Sequence, residues 1–167
     1  LVRPRSGVGG RESPAELARA LPGAELRVGD VSDPRSLRED GFAGDSFDAV
    51  FSCLATRGGG IRDAWNVEFE ANRVLLDAAL AAGVPRFVLL SAICVQRPKL
   101  AFQQAKLAFE ESLAASGLAY SIVRPTAFFK SLAGQVPRVL AGKPYLLFGS
   151  GELTACKPIS ERDLARY

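Results

Sequence analysis

Histidine is absent from all 167 residues, and so is methionine. Without an imidazole this segment has no Ser-His-Asp triad, no Cys-His dyad and no histidine-based metal site, which removes many hydrolase and metalloenzyme chemistries. Cysteine is scarce: Cys53, Cys94 and Cys156 are odd in number, far apart and set in apolar runs. They read as small core residues in a reducing compartment, not as a disulfide framework. No apolar run approaches the ~20 residues needed to span a bilayer, so no transmembrane segment is expected. Nor is there a run of five or more like charges. The 16 arginines and 5 lysines outnumber the 18 acids by three and are spread along the chain, which argues against a nucleic-acid arm or a polybasic membrane patch. The missing methionine, an opening inside an apolar dipeptide and a close within a helix-start pattern read as a piece of a longer protein.

What is present is enough for one core. The chain is 48% hydrophobic, and a domain of this length buries roughly two thirds of its unfolded surface. Leu1-Val2 reads as the tail of a strand entering an Arg- and Gly-rich loop. Ser13-Pro14-Ala15-Glu16 has the residues of a capping box and predicts a helix over 14–21, stopped by Pro22-Gly23. The alternation in 24–31 predicts a strand that delivers Asp30 and Val31 at its end. Asp33-Pro34 starts a short helix ending at Gly41. The continuous apolar run 47–55 predicts a strand buried on both faces.

From 63 to 82, Ala64, Val67, Ala71, Val74, Leu75, Ala78 and Ala82 recur at helical spacing, with Gly83 as a natural stop. A buried strand then ends on Ser91, a helix is expected over 101–116, and 118–125 reads as a further strand ended by Pro125. Beyond it a short helix is expected at 131–140, short strands at 145–148 and 154–157, and a last helix opened by Ser160-x-x-Asp163. This β-α-β-α-β-α-β-α-β order implies an α/β fold, a doubly wound parallel sheet. It is one domain over 1–167, truncated at both ends.

Ligands of such a sheet sit at the C-terminal ends of the strands, and the candidate residues fall there. The expected G-x-G-x-x-G loop is absent: Ser6 to Gly10 lacks the spacing, which places the first strand and its glycine-rich loop upstream of this segment. Arg3 and Arg5 then stand where an adenosine ribose would lie and suit a 2′-phosphate, hence NADPH; a solvated basic loop is the alternative. Asp30 and Val31 border adenine on one reading, and Asp30 is a turn residue on the other.

Ser91, followed fifteen residues later by Lys106 on a helix, resembles the active-site core of the short-chain dehydrogenase/reductases, whose fold is a Rossmann-like NAD(P)-binding domain. A lysine on an inward face needs a partner, and nicotinamide-ribose hydroxyls are one; taken alone, a lysine such as Lys106 is more often a snorkelling surface residue. Four residues earlier, where that superfamily carries a proton-donating tyrosine, stands Phe102. It has no proton to give an alkoxide, so the site is poorly equipped for alcohol/ketone chemistry; it suits a substrate whose charge spreads over a conjugated system on one reading and is catalytically dead on the other.

The runs SCLATRGGGIRDAW, RFVLLSAICVQRP, FQQAKLAFE, YSIVRPTAFFKSLAGQV and ACKPISE closely resemble the NADPH-dependent 3,8-divinyl (proto)chlorophyllide 8-vinyl reductases, atypical members of that superfamily. The resemblance covers nearly the whole chain and implies NADPH as cofactor, a tetrapyrrole substrate, reduction of its 8-vinyl group to ethyl, and a chloroplast location. It implies Lys106 at the nicotinamide ribose and Ser91 near the ring. Arg3 would hold the 2′-phosphate, with Asp30 and Val31 at adenine. Ala55 and Thr56 would line the cofactor, and Pro125 and Thr126 would flank the nicotinamide. Phe128 would also flank the nicotinamide side; Phe128, Phe129 and Tyr145 would stack on the macrocycle, with core packing as the alternative reading of the three, and Cys94 or water would donate the proton. The part that binds most of the substrate would lie beyond residue 167. Two rival readings stay open: a non-catalytic NADP-sensing regulator of the same superfamily, and a reductase of another conjugated small molecule.

Overall fold

The computed structural model describes residues 13–56, 60–146, 150, 152 and 157–167. Among these residues the sheet has three parallel strands, β1 (Val50–Ser52), β2 (Arg86–Leu90) and β3 (Ala119–Val123), side by side in that order. The register sets Val50 against Phe87 and Ser52 against Leu89, which in turn faces Ile122. Alternate residues of a strand share a face, so the apolar members of this set lie together. Phe87 and Leu89 join Leu37, Phe42, Leu76, Ala79, Phe109 and Leu113 in one core, with Val50 and Ile122 packed at its margin. The Phe87 and Phe109 rings are 5.9 Å apart.

Local signals explain the helices around this sheet. Ser13 caps α1 (Pro14–Ala20) through a capping box with Glu16, and the bond from Ser13 draws that carboxyl below its ordinary range. The side chain of Asp33 accepts from the Arg35 amide to start α2 (Pro34–Ser36), which widens into a π-helical turn over Leu37–Phe42. A long helix follows β1. It begins as α3 (Ile61–Ala64), passes through a π-helical stretch (Trp65–Ala71), continues as α4 (Asn72–Ala81) and stops at Gly83, whose φ of 69° few other residues adopt at low cost. Then come β2, a 3₁₀ turn (Ile93–Gln96), α5 (Ala101–Ala114) and β3. The chain finishes with α6 (Phe129–Ala133), α7 (Val136–Leu140) and α8 (Glu161–Arg166), the last capped by Ser160.

Two expected strands differ. The segment 24–31 contributes only a single bridging residue, Val28. Arg27 ties it instead to the carbonyls of Gly41 and Phe42 and to Asp45 and Glu25. Among the described residues no strand of the sheet lies along the outer edge of β1, onto which it would add. The run 47–55 is also not buried on both faces. Only Val50–Ser52 pair in the sheet, and Phe51, on the face opposite the core, is 71% exposed. The helix expected at 131–140 is two helices, α6 and α7, separated at Gly134-Gln135. Residues 145 and 146 are not strand, and the rest of the two late strands falls mainly outside the described residues. None of the described helices is long and apolar enough to cross a membrane.

Because all three strands are parallel, their C-terminal ends meet at one edge. Amides of the β2 exit loop stitch that edge together, Ser91 donating to the carbonyl of Val123 at 2.8 Å and Ile93 to that of Pro125 at 3.0 Å.

Candidate functional site

At this edge Lys106 comes from α5, whose inward face also carries Ala105, Phe109 and Leu113. Its side chain is 8% exposed, which rules out a snorkelling surface lysine. An ammonium so buried needs a counter-charge, and the long helix supplies one that the apolar periodicity concealed. Glu68, 2% exposed at its side chain, places Oε2 2.6 Å from Lys106 Nζ. This contact is an ion pair of close approach without hydrogen-bond alignment at Oε2. Oε1 of the same carboxylate accepts from the amide and the hydroxyl of Thr56 at 2.8 and 2.9 Å. Nζ also stands 3.5 Å from the Leu90 carbonyl, at the end of β2. Glu68 therefore ties three pieces together: the loop leaving β1, the π-helical stretch and α5.

Asn72 holds that stretch in place. Its Nδ2 donates to the carbonyls of Val67 and Glu68 at 3.2 and 3.0 Å, and its Oδ1 accepts from Ser52 Oγ on β1. A π-helical widening leaves carbonyls without their usual partners and recurs at functional sites; here an amide side chain satisfies two of them. Ser91, 5% exposed, lies just beyond β2 with its Oγ unpartnered among the described residues. A buried hydroxyl without a partner costs free energy unless something else meets it.

An open cleft of about 720 Å³ lies over the Glu68–Lys106 pair and is lined in part by Ala55, Thr56 and Phe102. Phe102 and Lys106 share one helix face, as their spacing requires. Cys53, read from the sequence as a core residue, is exposed just after β1 and does not line this cleft. Partial burial of its thiol pushes its pKa up, and the charge of Lys106 partly opposes that rise.

A second hollow, about 380 Å³, runs along the outer edge of β1 and is lined by Val31, Leu37, Phe42 and Phe51 among others. Val31 is buried there; Asp30 is exposed and its carboxylate accepts from the amide and hydroxyl of Ser32, an Asx turn. Pro125 is buried at the end of β3, and Thr126 donates its hydroxyl hydrogen to the Lys157 carbonyl. Phe128 bridges to Ile159, Phe129 is exposed at the start of α6, and Cys94 is half-buried in the 3₁₀ turn. Cys94, Pro125, Thr126, Phe128 and Phe129 are on the same strand-end edge but do not line the cleft over Lys106. Arg3 lies outside the described residues, as do Arg5, Cys156 and the loop of 6–10.

The sequence profile described as NAD(P)H-binding matches residues 8–166. The chain belongs to the NAD(P)H-binding family. Within it, the chain is 52% identical over 172 residues to the divinyl chlorophyllide a 8-vinyl-reductase, chloroplastic, of Oryza sativa subsp. indica, covering all of this chain and 42% of that protein. The protein of the same name from Zea mays is 51% identical, again over the whole chain and 43% of its own length. The chain thus spans less than half of these relatives. Among solved structures, the Bordetella bronchiseptica enzyme WbmG in complex with NAD and UDP superposes with a TM-score of 0.71 at 19% identity, over 87% of this chain and 53% of that one. At that identity the likeness concerns the fold, a Rossmann-like parallel sheet with helices.

Glu68 and Asn72 are the site residues that pattern reading missed. Glu68 follows Ala64 by four residues and precedes Ala71 by three, which puts a carboxylate inside the apolar stripe of its own helix. That position was the available signal.

Proposed function

We propose that the protein carrying this chain reduces the 8-vinyl group of divinyl chlorophyllide or protochlorophyllide to ethyl with NADPH, in the chloroplast. The observation that carries the reading is the pairing of a buried, neutralised Lys106 with Phe102 in one cleft: a cofactor site like that of the short-chain dehydrogenase/reductases but with no phenol. The names of the relatives, at about half identity over the whole chain, agree with it.

The residues fit a nicotinamide dinucleotide. The orphan hydroxyl of Ser91 and the ammonium of Lys106 are polar groups at strand ends beside an open cleft, where such a cofactor's ring and ribose belong. Lys106 would hold the ribose hydroxyls and Ser91 the ring. Ala55 and Thr56 would border the cofactor, Pro125 and Thr126 its nicotinamide side, Asp30 and Val31 its adenine, and Arg3 the 2′-phosphate. When bound, the cofactor supplies a hydride.

Hydride added to a vinyl carbon leaves negative charge that the conjugated macrocycle spreads, so no alkoxide forms and no adjacent phenol is needed. Phe102 lines the cleft with an apolar ring at the place where the wider superfamily has a hydroxyl. A proton must then reach the second vinyl carbon, and Cys94 or water delivers it. Phe128 and Phe129 lie outside the cleft over Lys106 and would meet only the part of the macrocycle that extends beyond it.

The test uses the complete reading frame that contains this chain. The protein is incubated with divinyl chlorophyllide and NADPH, and the pigments are separated by chromatography. Appearance of the monovinyl product supports the reading. NADPH binding without product refutes it and favours a cofactor-sensing role.

A further inference from the structure

We propose that the cleft over Lys106 is an end-on slot for a carboxylate-bearing tetrapyrrole, with Trp65, Ile61 and Leu100 as its apolar walls and Lys99 as the partner of the carboxylate at its rim. The inference rests on the function proposed above and names how that substrate would be held.

Ile61 and Trp65 are one helical turn apart, so they form a single stripe on the helix that follows β1, and Leu100 faces the same cleft from the entry to α5. Ile61 is 73% exposed, Leu100 57% and Trp65 37%. Single exposed apolar residues are ordinary. Three that converge from two elements on one concave site mark a surface awaiting an apolar face. Trp65 is fixed in orientation by Phe69, whose ring meets it edge-on at 5.7 Å, so a flat partner meets a preset wall.

Charge gives the slot a direction. At its floor Lys106 is already neutralised by Glu68. Among the described residues Lys99 is the other cation lining the cleft; it is exposed, and among them its ammonium has no carboxylate partner. The chemistry of the substrate matches this polarity. In a chlorophyllide the 8-vinyl group is on ring B, and the free propionate is on ring D, diagonally across the macrocycle. A carboxylate held at the rim by Lys99 sends ring B inward to Lys106 and keeps the 3-vinyl group of ring A off that axis. Lys99 is then a specificity residue, acting by orientation on a group far from the reacting bond.

The experiment measures pigment binding to the complete protein by absorption shift and by quenching of Trp65 emission, judged against Trp65→Phe. Divinyl chlorophyllide and its methyl ester, which lacks the charge, are the probes. Removing the stacking wall in Trp65→Ala is expected to weaken binding of both pigments about 10-fold. Lys99→Ala is expected to weaken the acid about 3- to 10-fold and to leave the ester unchanged, the scale of a partly exposed ion pair. NADPH affinity stays as it was in both. Both residues are exposed enough for the variants to fold; Leu100→Ser is a further probe of the opposite wall. Equal acid and ester affinities in the parent protein overturn the role of Lys99, and unchanged pigment binding in Trp65→Ala overturns the slot. Because these are binding measurements, they judge the slot even if no monovinyl product forms, an outcome that refutes the proposed reaction alone.

Discussion

Replacing Glu68 by glutamine tests the centre of the site, because the substitution preserves shape and removes only charge and one acceptor. The carboxylate presents Oε1 to two donors of Thr56 and Oε2 to the ammonium of Lys106. An amide has one oxygen. Turned toward Thr56, it points its NH2 at the ammonium; turned toward Lys106, it points the same donors at the Thr56 amide and hydroxyl. Either way a buried positive charge or a buried N–H loses its acceptor. Breaking a buried pair from one side costs about 3–5 kcal/mol, which at 2–4 °C per kcal/mol lowers the melting midpoint of a domain this size by about 6–20 °C. Lys106→Met combined with Glu68→Gln removes the orphan charge, and this double variant recovers most of the loss. Urea unfolding of the complete protein, followed by circular dichroism across the four members of the cycle, measures the coupling directly. Glu68→Gln within 1 kcal/mol of the parent, or a double variant no better than the single, refutes the account of Glu68 as the counter-ion that makes a buried Lys106 tolerable.

Three further outcomes follow from the same geometry. Ser91→Ala removes a buried hydroxyl that has no partner among the described residues, so it should change stability by less than about 1 kcal/mol while slowing pigment reduction; a large loss of stability with full turnover contradicts a cofactor-facing hydroxyl. The Cys53 thiol is pushed up by burial, with Lys106 opposing. A raised pKa means less thiolate at a given pH, so alkylation of Cys53 by iodoacetamide at pH 8 should lag behind a free cysteine. It should slow again in Lys106→Met, where the opposing charge is gone; mass spectrometry of the labelled peptide reads both. Phe102→Tyr restores the phenol of the wider superfamily beside Lys106, yet should not raise the rate of vinyl reduction, since no alkoxide awaits its proton. A tenfold gain, about 1.4 kcal/mol in the barrier, would show that proton delivery at this position limits the reaction.

Much of the fold was legible because its signals are local. Ser13, Asp33 and Ser160 cap the helices they announce, Gly83 and Gly117 end the two long ones, and the apolar run through Phe87 and Leu89 is the central strand. The segment 24–31 shows the limit. Its alternation is real, but a strand depends on a neighbour; among the described residues no strand lies beside it, and Arg27 reaches Gly41, Phe42 and Asp45 instead. The same dependence explains Phe51. A run apolar at every position predicts cover on both faces, whereas the cover on each side comes from other parts of the chain. The spacing singles out Lys106 and Ser91 and offers a cofactor hydroxyl as the partner of Lys106, where the structure shows Glu68. Glu68 was overlooked because a list of apolar positions passes over a charged residue lodged among them.

That partner changes what the site can do. A lysine facing only a cofactor is a free positive charge, suited to binding phosphate or lowering the pKa of a neighbouring phenol. Here the phenol is absent and the ammonium is already matched by Glu68, so the floor of the cleft carries no net charge to offer an incoming anion. A substrate that develops a localised oxyanion would gain little from such a floor. A conjugated ring that disperses its own charge needs no electrostatic sink there, only a dry wall, a fixed orientation and hydrogen-bonding groups that hold the nicotinamide ribose. On the proposed function, Phe102, the Glu68–Lys106 pair and the apolar walls above them would be three expressions of one requirement, that of adding a hydride to carbon without stabilising an alkoxide.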